Sequence, residues 1–325
     1  MNMNKNDLRI IYLGTPDFAV ESLRRLVEGG YNVVGVVTMP DKPKGRHASI
    51  LVPSPVKEYA LSKGLKVLQP EKLKDETFLE ELRSLHADLQ IVVAFRMLPQ
   101  VVWAMPKFGT FNLHASLLPQ YRGAAPINWA VINGETETGI TTFFLKQEID
   151  TGEVIDQVRI PIADTDNVGD VHDRLMMLGG DLTVKTVDAI IAGNVTSTPQ
   201  ELLTNDTPLR PAPKIFKETC RIDWTKGVKR VYDFVRGLSP YPAAWTELKL
   251  GDKSPITMKI FETEKHFCSH ALPVGTVETD RTAYLRVALA DGYLYLKSIQ
   301  IAGKKRMNVN DFLRGFRPEQ PMTVS

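Results

Sequence analysis

Cysteine is scarce here: Cys220 and Cys268 are the only two in 325 residues. Two cannot form a disulfide framework, and such low use fits a reducing cytoplasm. Long apolar runs are missing too. A run such as Ile91-Val92-Val93-Ala94-Phe95 stops far short of the roughly 20 residues that a membrane helix needs, so no membrane partner is expected. Met1 to Asp7 has no apolar core, so no secretory signal is expected and the protein is placed in the cytoplasm. The six histidines (47, 86, 114, 172, 266 and 270) and two cysteines show no metal-ligand spacing, so no metal is expected. Neither an internal repeat nor a low-complexity tract is found. What remains is a globular composition, 43% hydrophobic and 24% charged, which excludes a disordered tail, a collagen and a coiled-coil rod. The length is about twice that of a common domain, so two domains are expected.

A large charge of one sign is also lacking, since the net is +2. Its distribution is uneven. Residues 1–193 sum to −4, residues 194–211 to −1 and residues 212–325 to +7. A basic module beside an acidic one fits a contact with nucleic acid or another polyanion. It fits a solvated basic surface equally well.

The front of the chain alternates strand and helix patterns. Leu8 to Leu13 is a short apolar run ended by Gly14. A helical pattern follows through Phe18, Leu23 and Leu26 to a Gly29-Gly30 stop. Strands at 31–38, 66–68, 89–94 and 108–114 and helices near 54–63, 75–86 and 167–192 continue the pattern. Such β-α units predict an α/β fold with a Rossmann-like, mostly parallel sheet, whose ligands sit beyond the carboxyl ends of the strands. Residues 194–213 are rich in Thr, Pro and Asn and read as a linker. Beyond them come a helix near 225–237, five short strands between 243 and 301, and a last helix from about Asn308. That spacing predicts a small OB-like β-barrel. The expected domains are therefore 1–193, a linker at 194–213, and 214–325.

The chemistry concentrates in the run from Phe111 to Ile127. Asn112 and His114 stand two apart at a strand end, so their side chains share one face. An amide and an imidazole together suit acyl transfer: Asn offers an N–H to an oxyanion and His moves a proton. The same pair also fits a turn Asn and a satisfied surface His. Asp150-Thr151-Gly152 is a turn sequence. It admits either an ordinary turn Asp or a carboxylate set against His114. The stretch from Met39 to Pro55 reads as a long loop without structure of its own. Its Lys42, Lys44 and Arg46 suit phosphates, or a solvated mobile loop.

Taken together, the chain resembles the methionyl-tRNA formyltransferase family of folate-dependent formyltransferases over nearly its whole length. The matching pieces are Gly14-Thr15-Pro16-Asp17-Phe18, Pro40 to Arg46, Val52 to Lys57, Asn112 to Ile127, Asp150-Thr151-Gly152, Arg221-Ile222-Asp223-Trp224 and Ala302-Gly303-Lys304-Lys305. Asn-x-His with Ser-Leu-Leu-Pro indicates folate-dependent formyl transfer. Arg122-Gly123-Ala124-Ala125-Pro126-Ile127 and the basic C-terminal domain indicate the tRNA branch.

The resemblance implies transfer of the formyl group of 10-formyltetrahydrofolate to the methionine amine of initiator methionyl-tRNA, for translation initiation. It implies a catalytic trio of Asn112, His114 and Asp150. Asn112 and the His114 ring would stabilise the oxyanion, while Asp150 orients the ring and helps move a proton. Ser116, Leu117, Leu118 and Pro119 match the folate-binding stretch, and Arg96 and Leu98 the loop lining the pterin pocket. At that loop the chain has Phe95-Arg96-Met97 where many members have Tyr-Gly and one more residue. Lys42, Lys44, Arg46, Lys304 and Lys305 are the expected tRNA contacts, and the enzyme is expected to be a monomer.

Three other functions stay open on the sequence. A formyltransferase acting on a nucleotide-linked amino sugar shares the motif, with Arg-Gly-Arg-Ala-Pro and Asp-Ala-Gly in place of the residues here. A dinucleotide-dependent oxidoreductase would carry Gly-x-Gly-x-x-Gly, but Pro16 and Ala19 stand where glycines belong. A non-catalytic RNA-binding protein would use the C-terminal barrel alone.

Overall fold

The computed structural model describes residues 3–44, 50–204, 207–316, 318 and 321–325. The chain separates into two compact units. The first comprises Met1–Gly123, Gly139–Ile160 and His172–Pro211, and the second Ala124–Thr138, Pro161–Val171 and Ala212–Ser325.

In the first unit, β1 (Ile10–Gly14) leads into α1 (Phe18–Glu28), with Asp17 as its cap. The carboxylate accepts the Phe18 N–H, and Glu21 sits in the first turn where the helix dipole favours an anion. Phe18, Ala19, Leu23 and Leu26 make the buried stripe of α1. Gly14 has to be glycine because a Cβ there would lie 2.7 Å from that of Ala19. Next come β2 (Val33–Val37), β3 (Lys42–Lys44), β4 (Ile50–Val52), α2 (Pro55–Ser62), β5 (Val67–Leu68) and α3 (Glu76–Ser84). Ser54 and Asp75 cap the two helices through their side-chain oxygens. Then follow β6 (Leu89–Val93), α4 (Gln100–Trp103) and β7 (Thr110–His114).

Helix α5 (Pro126–Ile132) precedes β8 (Glu137–Phe144) and β9 (Val154–Pro161), and α6 (Val168–Ile191) follows. The sheet order is β5-β2-β1-β6-β7-β8-β9. Pairing is parallel from β5 through β7 and antiparallel between β7 and β8. A mixed sheet with a parallel majority results. β1 and β6 are buried along their whole length, as strands covered on both faces must be.

Two segments are more ordered than their composition suggests. The Met39–Pro55 stretch contains an antiparallel hairpin, with Lys42 opposite Val52 and Lys44 opposite Ile50. Pro43 is tolerated because a two-stranded ribbon leaves alternate N–H groups without a ladder partner. After α6, Thr198 pairs with Val154 through two backbone hydrogen bonds of 2.8 and 2.9 Å, and Gln200 is buried.

In the second unit, α7 (Val228–Leu238) precedes β10 (Ala244–Leu250), β11 (Ile256–Phe267), β12 (Thr276–Thr279), β13 (Leu285–Leu289) and β14 (Gly292–Ile301). The chain ends with β15 (Met307–Asn308), α8 (Val309–Gly315) and β16 (Met322–Val324). The order β11-β10-β16-β12-β13-β14 closes back on β11, an antiparallel barrel. Along β10 the buried Ala244, Thr246 and Leu248 alternate with less buried neighbours, the period of a strand with one face in the core. Trp224, Val231, Met258, Leu285, Leu294 and Leu313 belong to that core. Beside it, buried Arg236 donates to Asp233 at 2.8 Å and to the Asp166 carbonyl at 2.9 Å.

Candidate active site

β7 presents Asn112 and His114 at the carboxyl end of the parallel strands, as their spacing predicts. Asn112 is half-buried, and its side-chain amide makes no hydrogen bond among the described residues. His114 is 7% exposed. Its Nε2 lies 2.9 Å from the Tyr121 carbonyl, which can only accept, so Nε2 carries the proton. Nδ1 then faces Asp150 Oδ2, 3.8 Å away. The Phe143 ring meets the imidazole edge-on.

Asp150 sits in the turn between β8 and β9. It has φ of 55°, and Tyr121 has φ of 59°. A non-glycine residue in that region costs about 1–3 kcal/mol and persists only where its surroundings hold it. Here the hold is visible. Gly123 donates its N–H to Asp150 Oδ2 at 2.9 Å. Gln200 Nε2 donates to the Asp150 carbonyl at 2.7 Å and to the Gly152 carbonyl at 2.8 Å. Gly152 itself has no room for a side chain, since a Cβ would fall 1.5 Å from the Phe144 carbonyl oxygen.

Ser116, Leu117, Leu118 and Pro119 form the loop that leaves β7. Ser116 Oγ donates to the Gln120 carbonyl at 2.6 Å, and Thr141 Oγ1 donates to the Ser116 carbonyl at 2.7 Å. The Leu118 N–H reaches Thr141 Oγ1 at 3.2 Å. The serine hydroxyl therefore shapes the loop. Leu118 is buried and Leu117 half-buried.

Arg96 and Leu98 lie on the loop after β6. Because β6 and β7 are parallel neighbours, this loop leaves the sheet at the same edge as His114. Leu98 is buried. The terminal nitrogens of Arg96 donate to the Pro70 and Glu71 carbonyls, and its buried Nε has no partner. Burial lowers the affinity of this guanidinium for its proton.

Of the basic residues, Lys42 on β3 is exposed, Lys44 ends that strand, and Arg46 lies outside the described residues. Asp41, the anion of that segment, accepts from Lys57 Nζ at 2.7 Å and from Gln69 Nε2 at 2.8 Å. Lys57 first, then Gln69, hold its carboxyl below the usual range. In the barrel, Lys304 and Lys305 are exposed in the turn after β14. Among the described residues no group of three or more His, Cys, Asp or Glu is placed to hold a metal ion. No helix among them is long and apolar enough to cross a membrane.

The first unit thus gathers Asn112, His114 and Asp150 with the Ser116–Pro119 and Arg96–Leu98 loops at one sheet edge. Gln200 escapes sequence reasoning, as does Arg122, whose Nε and Nη2 donate to Gln200 Oε1 at 3.1 and 2.7 Å. Gln200 sits in a stretch with no apolar period, and its neighbours Pro199 and Glu201 mark no site. Only its burial distinguishes it.

The family model for formyl transferase matches residues 8–187, and that for formyl transferase, C-terminal domain, matches residues 214–317. A methionyl-tRNA formyltransferase from Phocaeicola vulgatus is 73% identical, over 97% of this chain and 98% of that protein. One from Parabacteroides distasonis is 67% identical, over 99% of this chain and all of that protein. Among solved structures, a sugar 3N-formyltransferase crystallised with dTDP and 5-N-formyl-THF superposes with a TM-score of 0.62 at 20% identity. That match covers 92% of this chain and 99% of the other, and it bears on the fold.

Proposed function

The chain belongs to the methionyl-tRNA formyltransferase family, and from that premise we propose that it transfers the formyl group of 10-formyltetrahydrofolate to the methionine amine of initiator methionyl-tRNA. The product, N-formylmethionyl-tRNA, serves translation initiation. The observation carrying the reading is the convergence of Asn112, His114 and Asp150 at the sheet edge of a chain so similar to these enzymes.

The folate substrate brings an already activated formyl group, so no covalent enzyme intermediate is needed. The Asn112 amide, which makes no hydrogen bond among the described residues, suits it as a donor, and Arg96 stands on the loop proposed to line the pterin. Buried Leu98 and Leu118, with Leu117 and Pro119, supply apolar surface for a pterin. When the methionine amine attacks, the new C–N bond turns the formyl carbonyl into an oxyanion. Asn112 donates its amide N–H there, and such a donor is worth about 10²–10³ in rate.

The Nε2 proton of His114 is committed to the Tyr121 carbonyl, so the ring works through Nδ1. That nitrogen accepts the proton which the attacking amine sheds and passes it to the leaving nitrogen. Asp150, beside Nδ1, stabilises the imidazolium while it lasts. The tRNA is held by cations: Lys42 and Lys44 of β3 with Arg46, which follows them in the sequence, and Lys304 and Lys305 on the barrel.

The test is formylation of methionyl initiator tRNA beside methionyl elongator tRNA, with the folate donor present or omitted. A nucleotide-linked amino sugar serves as a third acceptor. Donor-dependent formylation confined to the initiator tRNA is expected. Formylation of the amino sugar in preference to tRNA would overturn the proposal.

A further inference from the structure

We propose that Gln200 is a positioning residue for Asp150, and that the described residues 198–204 and 207–210 act as a strap that keeps both halves of the His114–Asp150 pair in register. The inference rests on the reading that Asp150 takes part in the transfer.

Gln200 is 1% exposed and every polar valence of its amide is used. Nε2 donates to the Asp150 and Gly152 carbonyls at 2.7 and 2.8 Å. Oε1 accepts from Arg122, at 2.7 Å from Nη2 and 3.1 Å from Nε. Arg122 is followed by Gly123, whose N–H donates to the carboxylate of that same Asp150 at 2.9 Å. A closed circuit results. The Asp150 carbonyl is tied to Gln200, Gln200 to Arg122, and the residue after Arg122 to the Asp150 carboxylate. Both ends of one residue in a left-handed conformation are held by a single amide and its immediate partner.

Farther along, the Arg210 carbonyl accepts the Tyr121 N–H at 2.7 Å, and the Tyr121 carbonyl accepts from His114 Nε2. Gln120 adds a clasp on each side, donating to the Pro208 carbonyl at 3.2 Å and accepting the Arg210 N–H at 2.9 Å. The strap therefore touches Asp150 at one point and the residue that orients His114 at another. It enters by the Thr198–Val154 pairing, immediately after the Asp150 turn. A side chain filling space would need neither the pair of carbonyl acceptors nor the guanidinium. Asp150 Oδ2 lies 3.8 Å from His114 Nδ1, so a small shift of the turn changes whether the two interact at all. Misplacement by about 1 Å at a reacting centre costs on the order of 10² in rate.

The test uses the full chain and single-turnover formylation of initiator methionyl-tRNA, with KM measured for both substrates. Gln200→Ala should lower kcat by about 10- to 100-fold and leave each KM within about twofold. Gln200→Glu should do no better, because its carboxylate faces two carbonyl oxygens while keeping the arginine. Arg122→Lys, which loses the forked geometry but keeps the charge, should show a smaller loss of the same kind.

The decisive arm repeats each change in an Asp150→Asn background. A residue acting through Asp150 has nothing left to position there, so Gln200→Ala should cost less than about twofold more. A wild-type kcat in Gln200→Ala overturns the proposal. So does an equal fractional loss in both backgrounds, the mark of general loosening. If Gln200→Ala does not fold, Arg122→Lys carries the same comparison. If Asp150→Asn alone keeps full kcat, it is the proposed role of Asp150 that fails, a result distinct from the others.

Discussion

Gly123 donates its backbone N–H to Asp150 Oδ2 at 2.9 Å. That same oxygen is the one 3.8 Å from His114 Nδ1. A single carboxylate oxygen is thus aimed by a main-chain donor toward the nitrogen proposed to move the proton. Asp150→Asn keeps an oxygen for Gly123 but removes the charge beside the ring. General acid–base groups contribute about 10²–10⁴ in rate, so kcat should fall by that order. The KM for tRNA should stay within about twofold. Rapid-quench formylation reads both, and a kcat within threefold of wild type would dismiss the assignment.

Asn112 makes a separate prediction. Its amide has no partner among the described residues, so truncation strands no buried group in the free enzyme and folding should be unaffected. Asn112→Ala should melt within a degree or so of wild type and lose about 10²–10³ in kcat. Asn112→Asp, which offers no N–H, should recover nothing. Recovery by aspartate would mean that the residue works through a carbonyl-like oxygen instead.

How much of this was visible in the residues depends on the range of the interaction. Asn112 and His114 are legible because a strand puts i and i+2 on one face. The Rossmann-like front is legible because buried parallel strands such as Leu89–Val93 are continuous apolar runs. The β3–β4 hairpin is hidden by Pro40, Pro43, Pro53 and Pro55, which read as loop although only Pro43 lies within the ladder. β8 and β9 are easily missed. Glu137–Phe144 carries three threonines among its buried residues, and Thr141 is buried where it bonds the Ser116 carbonyl. Gln200 is the extreme case: its amide is satisfied by Asp150, Gly152 and Arg122, at least 48 positions away, and by no described residue within ten positions.

The glycine of Asp150-Thr151-Gly152 is required by space. A Cβ at Gly152 would lie 1.5 Å from the Phe144 carbonyl oxygen and 2.7 Å from its carbon, both backbone atoms that cannot rotate aside. Gly152→Ala must therefore push the turn away from β8. Overpacking typically costs about 1–3 kcal/mol, and here it also shifts Asp150. A lower melting temperature together with a kcat loss beyond that of the folded fraction is expected. An unchanged melting curve would contradict the geometry.

Asp280 ties acid stability to a turn in the barrel. Its carboxylate collects the N–H groups of Thr282, Ala283 and Tyr284 at 2.9, 2.7 and 3.1 Å. Those bonds hold its pKa down to about 2. The unfolded chain, with an ordinary aspartate near 3.9, binds more protons between those values, so folding is favoured as pH rises through that window. The contribution is complete above about pH 5 and lost as pH falls toward 2. Asp280→Ala should melt below wild type at neutral pH, and the gap should close on acidification to pH 2. A gap that widened in acid would reverse the sign and refute the bond as its source.

The last prediction concerns the charge that the net value of +2 conceals. Lys304 and Lys305 stand exposed in the turn after β14, and no ion pair engages either among the described residues. Cations free of internal partners can displace the counterions condensed on a nucleic acid. Each phosphate they neutralise adds about 0.9 to the slope of log affinity against log salt. KM for initiator methionyl-tRNA should thus rise steeply between 50 and 200 mM salt, roughly the range over which such contacts weaken. The double change Lys304→Ala, Lys305→Ala should flatten that slope by about 2 if both meet phosphates, and by about 1 if one does. Folate KM should not move in either case, because a counterion effect on tRNA has no counterpart at a pterin pocket. Lys42→Ala on the hairpin supplies the control for position: its loss should flatten the slope independently of the barrel pair. An unaltered slope in the double variant would leave the barrel's lysines as a solvated surface and move the tRNA contacts elsewhere on the +7 segment.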